Sequence, residues 1–538
     1  MSPRFPPAAY IFLWCIIIAH HYELVAAFQS QFQLLQTSLL IPHRHHRRRR
    51  SFCAIQSQQK MVDISNQSDG DAKMTTTTIP TNDDGIVDKQ QQNKRRERKR
   101  AKKDAARQRR EDRIAKNGGP PETTFLGQHK WLGGAVDAAT GKIYGIPSHS
   151  HQIICITPSS MEISTIPLPI EYQQGHFKWL RGLVYDGCLY GIPAWNTNGV
   201  LKVKLDTEEV TVLPLPNQPS HYEADPIPWK ERVANVDRGR WMWHGGAIGK
   251  VSDEDGASAA IYCPPSNAEY VLKVSLDGSD KVEEIGPPLT DGQNKWYGGI
   301  TGVDGCVYAP PYTAKGVLRI NPKNDAVEVL GDFPANEWKW HGGLLAKSTG
   351  VIYAFPAHSN EVLCIDTNIR SKKNFEDGED DNDESWRVST IPIQRHENDT
   401  DSPDLQYKWL GGSYGADGCI YGMPSDATTI LRIDPIKNEA TTFGTVSSSI
   451  NKWQGGVLSQ IDKCFYAVPA DMDCVLRVDT DPNTPLSIDY VGSDFRDVDD
   501  KWQGGFVGSD GKIYAIPENI NNVMVITPGE NPSVEMLA

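Results

Sequence analysis

An all-β fold made of tandem four-stranded units is predicted by three features of this 538-residue chain. First, one short pattern recurs eight times, with its tryptophans at Trp131, Trp179, Trp243, Trp296, Trp340, Trp409, Trp453 and Trp502 and a mean spacing of 53 residues. A period of that size marks a repeat in which no unit buries its own hydrophobic face alone. Second, every copy holds short apolar or β-branched runs bounded by Gly, Pro and Asp, which read as strands. Third, no copy contains a long stretch of helical period.

The copy beginning at Lys408 shows the unit. Residues 412–415 are expected as a first strand, A. Asp417-Gly418 is a tight-turn signal. Residues 419–423 form strand B, stopped by Pro424, which has no N–H to give to a ladder. A polar loop follows, then strand C at 429–433 and strand D at 440–444. Clearer D strands stand at 210–213 and 326–330. Four-stranded units at such spacing suit radial packing about an axis, the β-propeller. Eight blades are expected, with seven plus a degenerate copy as the alternative. The Gly-Gly pair fits the crowded innermost strand, and the Trp fits as a large apolar plate between blades. Two segments compete to complete the last blade: 122–127, which reads like a D strand, and 533–537.

The run Gly-x-Ile-Tyr-x-x-Pro, followed by Val-Leu-x-Ile-Asp, resembles the repeats of YVTN/NHL-like and lactonase-like propellers over roughly residues 119–538. That resemblance implies architecture. It implies no single activity, because such propellers include enzymes, carriers and scaffolds. The Trp-x-Gly-Gly start departs from those families and from kelch repeats. Similar tandem copies occur in proteins of algae and protists.

The first 118 residues are of another kind. Residues 11–19 are a nine-residue apolar core after Arg4, too short to span a bilayer. With Val25-Ala26-Ala27 behind it, the segment 1–27 reads as a signal peptide. From Leu24 to Val62 there is no acidic residue, while Arg44 and Arg47 to Arg50 are present, the composition of a transit peptide. The Ala27-Phe28 junction resembles the bipartite plastid presequence of diatoms. Plastid delivery is therefore expected, with secretion as the alternative. The rest of 28–118 is expected to be basic and disordered, including the charge run from Lys94 to Arg113.

Residues 1–118 carry 22 Lys/Arg against 11 Asp/Glu, and the remaining 420 carry 33 against 57. So acidic a repeat domain argues against specific nucleic-acid binding by the propeller. A monomer without a transmembrane segment in the mature chain is expected. Cys188, Cys306, Cys419 and Cys464 share one repeat position, and Cys155 and Cys364 another. Equivalent sites in different blades lie too far apart to bridge, so free buried thiols are expected. No Cys/His spacing suggests a metal site.

Function is expected on one rim, where the B–C and D–A connections of a meander emerge together. Lys130, Lys178, Lys295, Lys339, Lys408, Lys452 and Lys501 each precede a repeat Trp, with Met242 breaking the series. They read either as a positive collar for an anion or as structural lysines that pair with carboxylates of the adjacent blade and cover the Trp. A second set follows the strand B proline and varies: His149 and His151, Trp195 and Asn196, Asn267, Tyr312, His358 and Asn360, Asp426, Asp471 and Asp473, Glu518 and Asn519. Within the Trp-x-Gly-Gly motif the variable positions include His244 and His341, candidates for proton or ligand chemistry, and Arg181 replaces the first Gly of its copy. The insertion 217–240, with Trp229 and Glu223, is a candidate lid on the same rim. The acidic insertion near 376–384 lacks EF-hand spacing.

Two functions from different classes follow. One is a non-catalytic propeller holding a protein or a small anionic ligand on that rim, with no cofactor required. The other is a lactonase-like hydrolase in which Glu223, Asp426 and Asp471 would hold a divalent cation at the axis. A wall-associated structural protein is a third reading, tied to secretion.

Overall fold

The repeat builds blades. The computed structural model describes residues 129–195, 199–216, 241–251, 258–369, 385–495 and 498–537. The presequence, the segment 119–127, Glu223, Trp229 and the rest of the insertion 217–240, Asn196 and the acidic run 376–384 lie outside the described residues. Within them the chain forms eight antiparallel four-stranded meanders with only two short 3-10 turns, Ile170–Tyr172 and Ser385–Arg387. No helix among the described residues is long and apolar enough to cross a membrane.

In blade 1 the strands are Trp131–Val136 (A), Ile143–Pro147 (B), Gln152–Thr157 (C) and Glu162–Pro167 (D). The A strands of blades 2 to 8 are Trp179–Tyr185, Ala247–Lys250, Ile300–Thr301, Trp340–Ala346, Trp409–Tyr414, Trp453–Leu458 and Trp502–Val507. Strand A thus begins at the Trp in six blades, three residues before the sequence-based boundary. The reason is a bulge: Trp pairs with the strand B proline, as in Trp409↔Pro424, and the register shifts before the second Gly. In blades 3 and 4 the same Trp–Pro pairing survives as single bridges, Trp243↔Pro265 and Trp296↔Pro311.

Each Trp is buried between two blades. Trp179 packs against Tyr144, Ile146 and Ile166 of blade 1 and against Leu189 and Leu201 of its own. Its indole N–H donates to a carbonyl at the start of strand C, 3.0 Å to Gly199 O, and all eight repeat tryptophans make this bond at 2.8–3.0 Å. A buried indole needs such a partner. The second Gly of the pair makes room for the neighbouring blade: a Cβ on Gly412 would lie 2.1 Å from Phe355 Cζ and 2.4 Å from Tyr421 O.

The turn aspartate does more than turn the chain. Asp417 accepts from the Tyr421 hydroxyl at 2.8 Å and from Arg432 at 3.0 Å. Asp304 and Tyr308, with Arg319 on the phenol, repeat the arrangement in blade 4.

Among the described residues each blade takes its four strands from one continuous stretch. Ser533–Leu537 pairs with Val523–Thr527 and fills the fourth place of blade 8, so that place is not left for the segment 122–127. Blade 1 packs directly on blade 8 through Trp131, Ile154, Phe506 and Ile516. One departure from eight separate units occurs at the outer edge. The D strands of blades 5 and 6, Val388–Gln394 and Glu439–Phe443, pair in parallel at Ile393↔Ala440 and Gln394↔Thr441.

Eight thiols among the described residues are free, six of them buried. Burial pushes those of Cys306, Cys364, Cys419 and Cys464 up to about 12, which leaves them protonated and unreactive.

Candidate functional site: the rim and the axial glycine ring

Every joint between blades is stitched by the residue before the Trp. Its main-chain N–H donates to a carbonyl just past the strand B proline of the preceding blade, at 2.8–3.2 Å in all eight joints, Met242 included. The seven lysines add their ammonium groups. Lys178 reaches Ser150 O at 2.8 Å, Lys295 reaches Ala268 O at 2.9 Å, and Lys339 reaches Ala314 O at 2.9 Å and Pro334 O at 2.7 Å. Lys408, Lys452, Lys501 and Lys130 likewise donate to carbonyls, those of His358, Ser449, Ala470 and Ile520 among them. All seven are at most 4 % exposed. Burial pulls the ammonium groups of Lys178, Lys295, Lys339, Lys408 and Lys452 down to about 8. The lysines therefore sit inside the joints as carbonyl clamps. The hydrogen bonds go to carbonyls rather than to the adjacent carboxylates of the sequence-based reading, and carboxylates of the preceding blade, such as Asp426 beside Lys452 and Asp471 beside Lys501, add attraction.

Two further positions meet on the rim at each joint. One lies two residues before the Trp: His129, Phe177, Trp241, Asn294, Trp338, Tyr407, Asn451 and Asp500. All but Trp338 have φ between 48° and 55°, uncommon for bulky side chains. The other lies two after the strand B proline: His149, Trp195, Asn267, Thr313, His358, Asp426, Asp471 and Asn519. Within seven of the blades the second donates its amide to the carbonyl of the first, as from Trp195 to Phe177 at 2.9 Å, and in blade 4 Thr313 donates to Lys295 O instead.

Between blades the joint uses one of two chemistries. Where the second residue is Asn or Asp, its side-chain oxygen accepts the next blade's amide: Asn267 from Asn294 at 2.6 Å, Asp426 from Asn451 at 2.8 Å, Asp471 from Asp500 at 2.9 Å and Asn519 from His129 at 2.6 Å. Elsewhere aromatic rings meet. An unbroken series of ring contacts runs from blade 1 to blade 6. It passes His149–Phe177 at 4.3 Å, Phe177–Trp195 at 4.3 Å, Trp195–Trp241 at 5.5 Å, Trp241–His244 at 5.7 Å and His244–Tyr297 at 4.0 Å. It continues through Tyr297–Tyr312 at 4.4 Å, Tyr312–Trp338 at 4.9 Å, Trp338–His358 at 5.9 Å and His358–Tyr407 at 4.8 Å. His341 stands edge-on to Tyr297 and Tyr312. The outer members His149, Phe177, Trp195, Trp338 and His358 are half-buried, and the inner members His244, Tyr297, Tyr312 and His341 are buried.

Blades 7 and 8 complete the ring with polar groups. Gln454 donates to Asn451 at 2.8 Å, Asn451 to Asp500 at 2.8 Å, and Glu518 pairs with His129 at 2.6 Å. Burial holds the Asp426 carboxyl above the usual carboxylate range.

At the axis the first Gly of each pair is left-handed, with φ from 69° to 97° in Gly133, Gly245, Gly298, Gly342, Gly411, Gly455 and Gly504. The eighth place belongs to Arg181, at φ 61°. A left-handed non-Gly residue costs about 1–2 kcal/mol, and such strain concentrates at functional sites. Arg181 is 3 % exposed. Its Nε, Nη1 and Nη2 are all buried with no hydrogen-bond partner among the described residues. Its side chain lies over the third blade, since a Cβ on Gly245 would come 3.1 Å from its Cδ and 3.5 Å from its Nη1. Burial pulls the guanidinium down to about 9, opposed by Tyr297 nearby.

The structure thus brings Arg181, His244 and His341 into or beside the aromatic sector, together with Trp195. It does not bring the lysines to an open surface. No group of three or more His, Cys, Asp or Glu side chains able to hold a metal ion occurs among the described residues. Asp426 and Asp471 each accept a main-chain amide of the next blade through Oδ1, and Glu223 lies outside the described residues. The sequence reading missed Phe177, Trp241, Trp338 and Tyr407. Their signal was present: a position at fixed distance from each Trp, aromatic in some copies and polar in others.

No protein-family model and no curated protein matches the chain. Among solved structures it is similar to streptogramin B lyase, with 11 % identity over 77 % of this chain and 97 % of that one and a TM-score of 0.40. Virginiamycin B lyase from Staphylococcus aureus is similar at 13 % identity over 55 % of this chain and 84 % of that one, with a TM-score of 0.38. The computationally designed protein Ika8 is similar at 8 % identity over 75 % and 99 %, with a TM-score of 0.45. Likeness at this level carries no function across.

Proposed function

We propose that this protein is a non-catalytic ligand-binding β-propeller that holds a small organic ligand against the aromatic sector of its rim. One observation carries the reading. The joint needs only a single chemistry to hold blades together, and the Asn/Asp–amide staple already supplies it at four joints. Aromatic rings nevertheless replace that staple in blades 1, 2 and 5, Tyr312 beside Thr313 extends them through blade 4, and the outer members are half-buried. Half-buried aromatic walls with a few polar groups are what small-molecule sites are made of.

The test uses neutral probes in ligand-observed NMR: indole and benzyl alcohol against the saturated cyclohexylmethanol. The aromatic probes are expected to bind and cyclohexylmethanol not to. Trp195→Ala, checked for an unchanged fold by circular dichroism, is expected to weaken binding at least fivefold. Equal behaviour of the saturated probe, or binding indifferent to Trp195→Ala, sinks the proposal.

A further inference from the structure

We infer that Arg181 is the anion anchor of this site and that the ligand is an aromatic monocarboxylate. The inference rests on the aromatic-sector reading and adds the charge of the ligand. Seven copies of the repeat place Gly at this left-handed axial position and one places Arg, so the fold does not require a side chain there. The guanidinium is buried, and none of its three nitrogens bonds another group of the described protein. A buried charge without a partner is costly, and a planar guanidinium matches a carboxylate in a two-point fork.

The neighbours narrow the ligand. The strip beside the arginine is the stacked His244–Tyr297–Tyr312 series, which suits a ring attached to the anion. The Tyr312 hydroxyl in that strip is a second buried group without a hydrogen-bond partner among the described residues. One guanidinium supplies one full charge, which balances a monocarboxylate and leaves a phosphate dianion uncompensated.

Calorimetry on the full chain tests this with benzoate, benzyl alcohol and inorganic phosphate. Benzoate is expected to bind at least tenfold more tightly than benzyl alcohol. Arg181→Gly restores the residue used by the other seven blades, so its thermal midpoint should be unchanged or higher. That variant is expected to lose at least tenfold in benzoate affinity and to keep its benzyl alcohol affinity, with Arg181→Lys between the two. Benzoate binding no tighter than benzyl alcohol, or unaltered in Arg181→Gly, overturns the anchor and leaves the aromatic reading standing. Arginine-dependent benzoate binding with no benzyl alcohol binding upholds the anchor and removes the aromatic reading. Arginine-dependent phosphate binding tighter than benzoate overturns the carboxylate.

Discussion

The rim residues show how one structural task is done by different side chains. Asp426 accepts the amide of Asn451 at 2.8 Å, and Asn267 and Asn519 make the same bond at other joints. Only one oxygen is needed, and an amide oxygen serves. The carboxylate carries an added cost, because burial disfavours its charge and raises its pKa above the value in the unfolded chain. With the folded pKa raised, the folded state binds the proton more tightly, so stability declines as pH rises from the unfolded value through the folded one. Asp426→Asn is therefore expected to raise the urea midpoint at pH 7. The gain should shrink as pH falls through the folded pKa and vanish below the ordinary aspartate range. A variant no more stable than the parent at pH 7 would show that the attraction of Lys452 outweighs desolvation.

At the scale of the strand, the Gly-Gly pair separates two reasons for glycine. The first position needs a left-handed backbone and the second needs empty space. Gly412 is of the second kind: a Cβ there would meet Phe355 Cζ at 2.1 Å and the Tyr421 carbonyl at 2.4 Å. The ring can move, but the carbonyl belongs to the strand pairing. Gly418, in the turn, has φ 80° and nothing within 4 Å. Gly412→Ala is expected to cost about 3 kcal/mol or more, against about 1–2 kcal/mol for Gly418→Ala, measured by urea denaturation. Equal costs would mean that blade packing relaxes around the added methyl. Much of this scale was legible in the sequence. The Trp period, the Asp-Gly turn and the proline at the end of strand B located the blades, and strand D at 326–330 was placed to the residue. Strand A began three residues early because a bulge is invisible to an alternating pattern. The lysine partners were misread for a different reason: they are main-chain carbonyls of the preceding blade, often 25 to 31 residues away, and carry no side-chain signal. Arg181 was legible because it breaks a glycine rule; its missing partner was not, since that depends on what packs around the axis.

For the whole ring, the decisive feature is that the closing joint resembles the other seven. Lys130 donates its N–H to Glu518 O at 3.2 Å and its ammonium to Ile520 O at 2.6 Å, which repeats the stitch found between successive blades. Asn519 adds the amide staple to His129. Blade 8 takes all four strands from one continuous stretch, so among the described residues the ring is closed by packing and hydrogen bonds between blades 8 and 1. Covalent continuity at any particular joint should then matter little. A circular permutant of the propeller tests this: opened between the exposed residues Ser447 and Ser448, with Leu537 joined to His129 by a flexible linker of about eight residues. That linker matches the connection from Phe443 to Trp453 that it replaces. Loop-closure entropy changes only slowly with length, so the permutant is expected to unfold within about 1 kcal/mol of the parent propeller. It should also keep the single cooperative transition of a closed ring. Loss of several kcal/mol, or a first transition confined to blades 1 and 8, would show that the closing joint is weaker than its hydrogen bonds suggest and that chain connectivity elsewhere compensates for it.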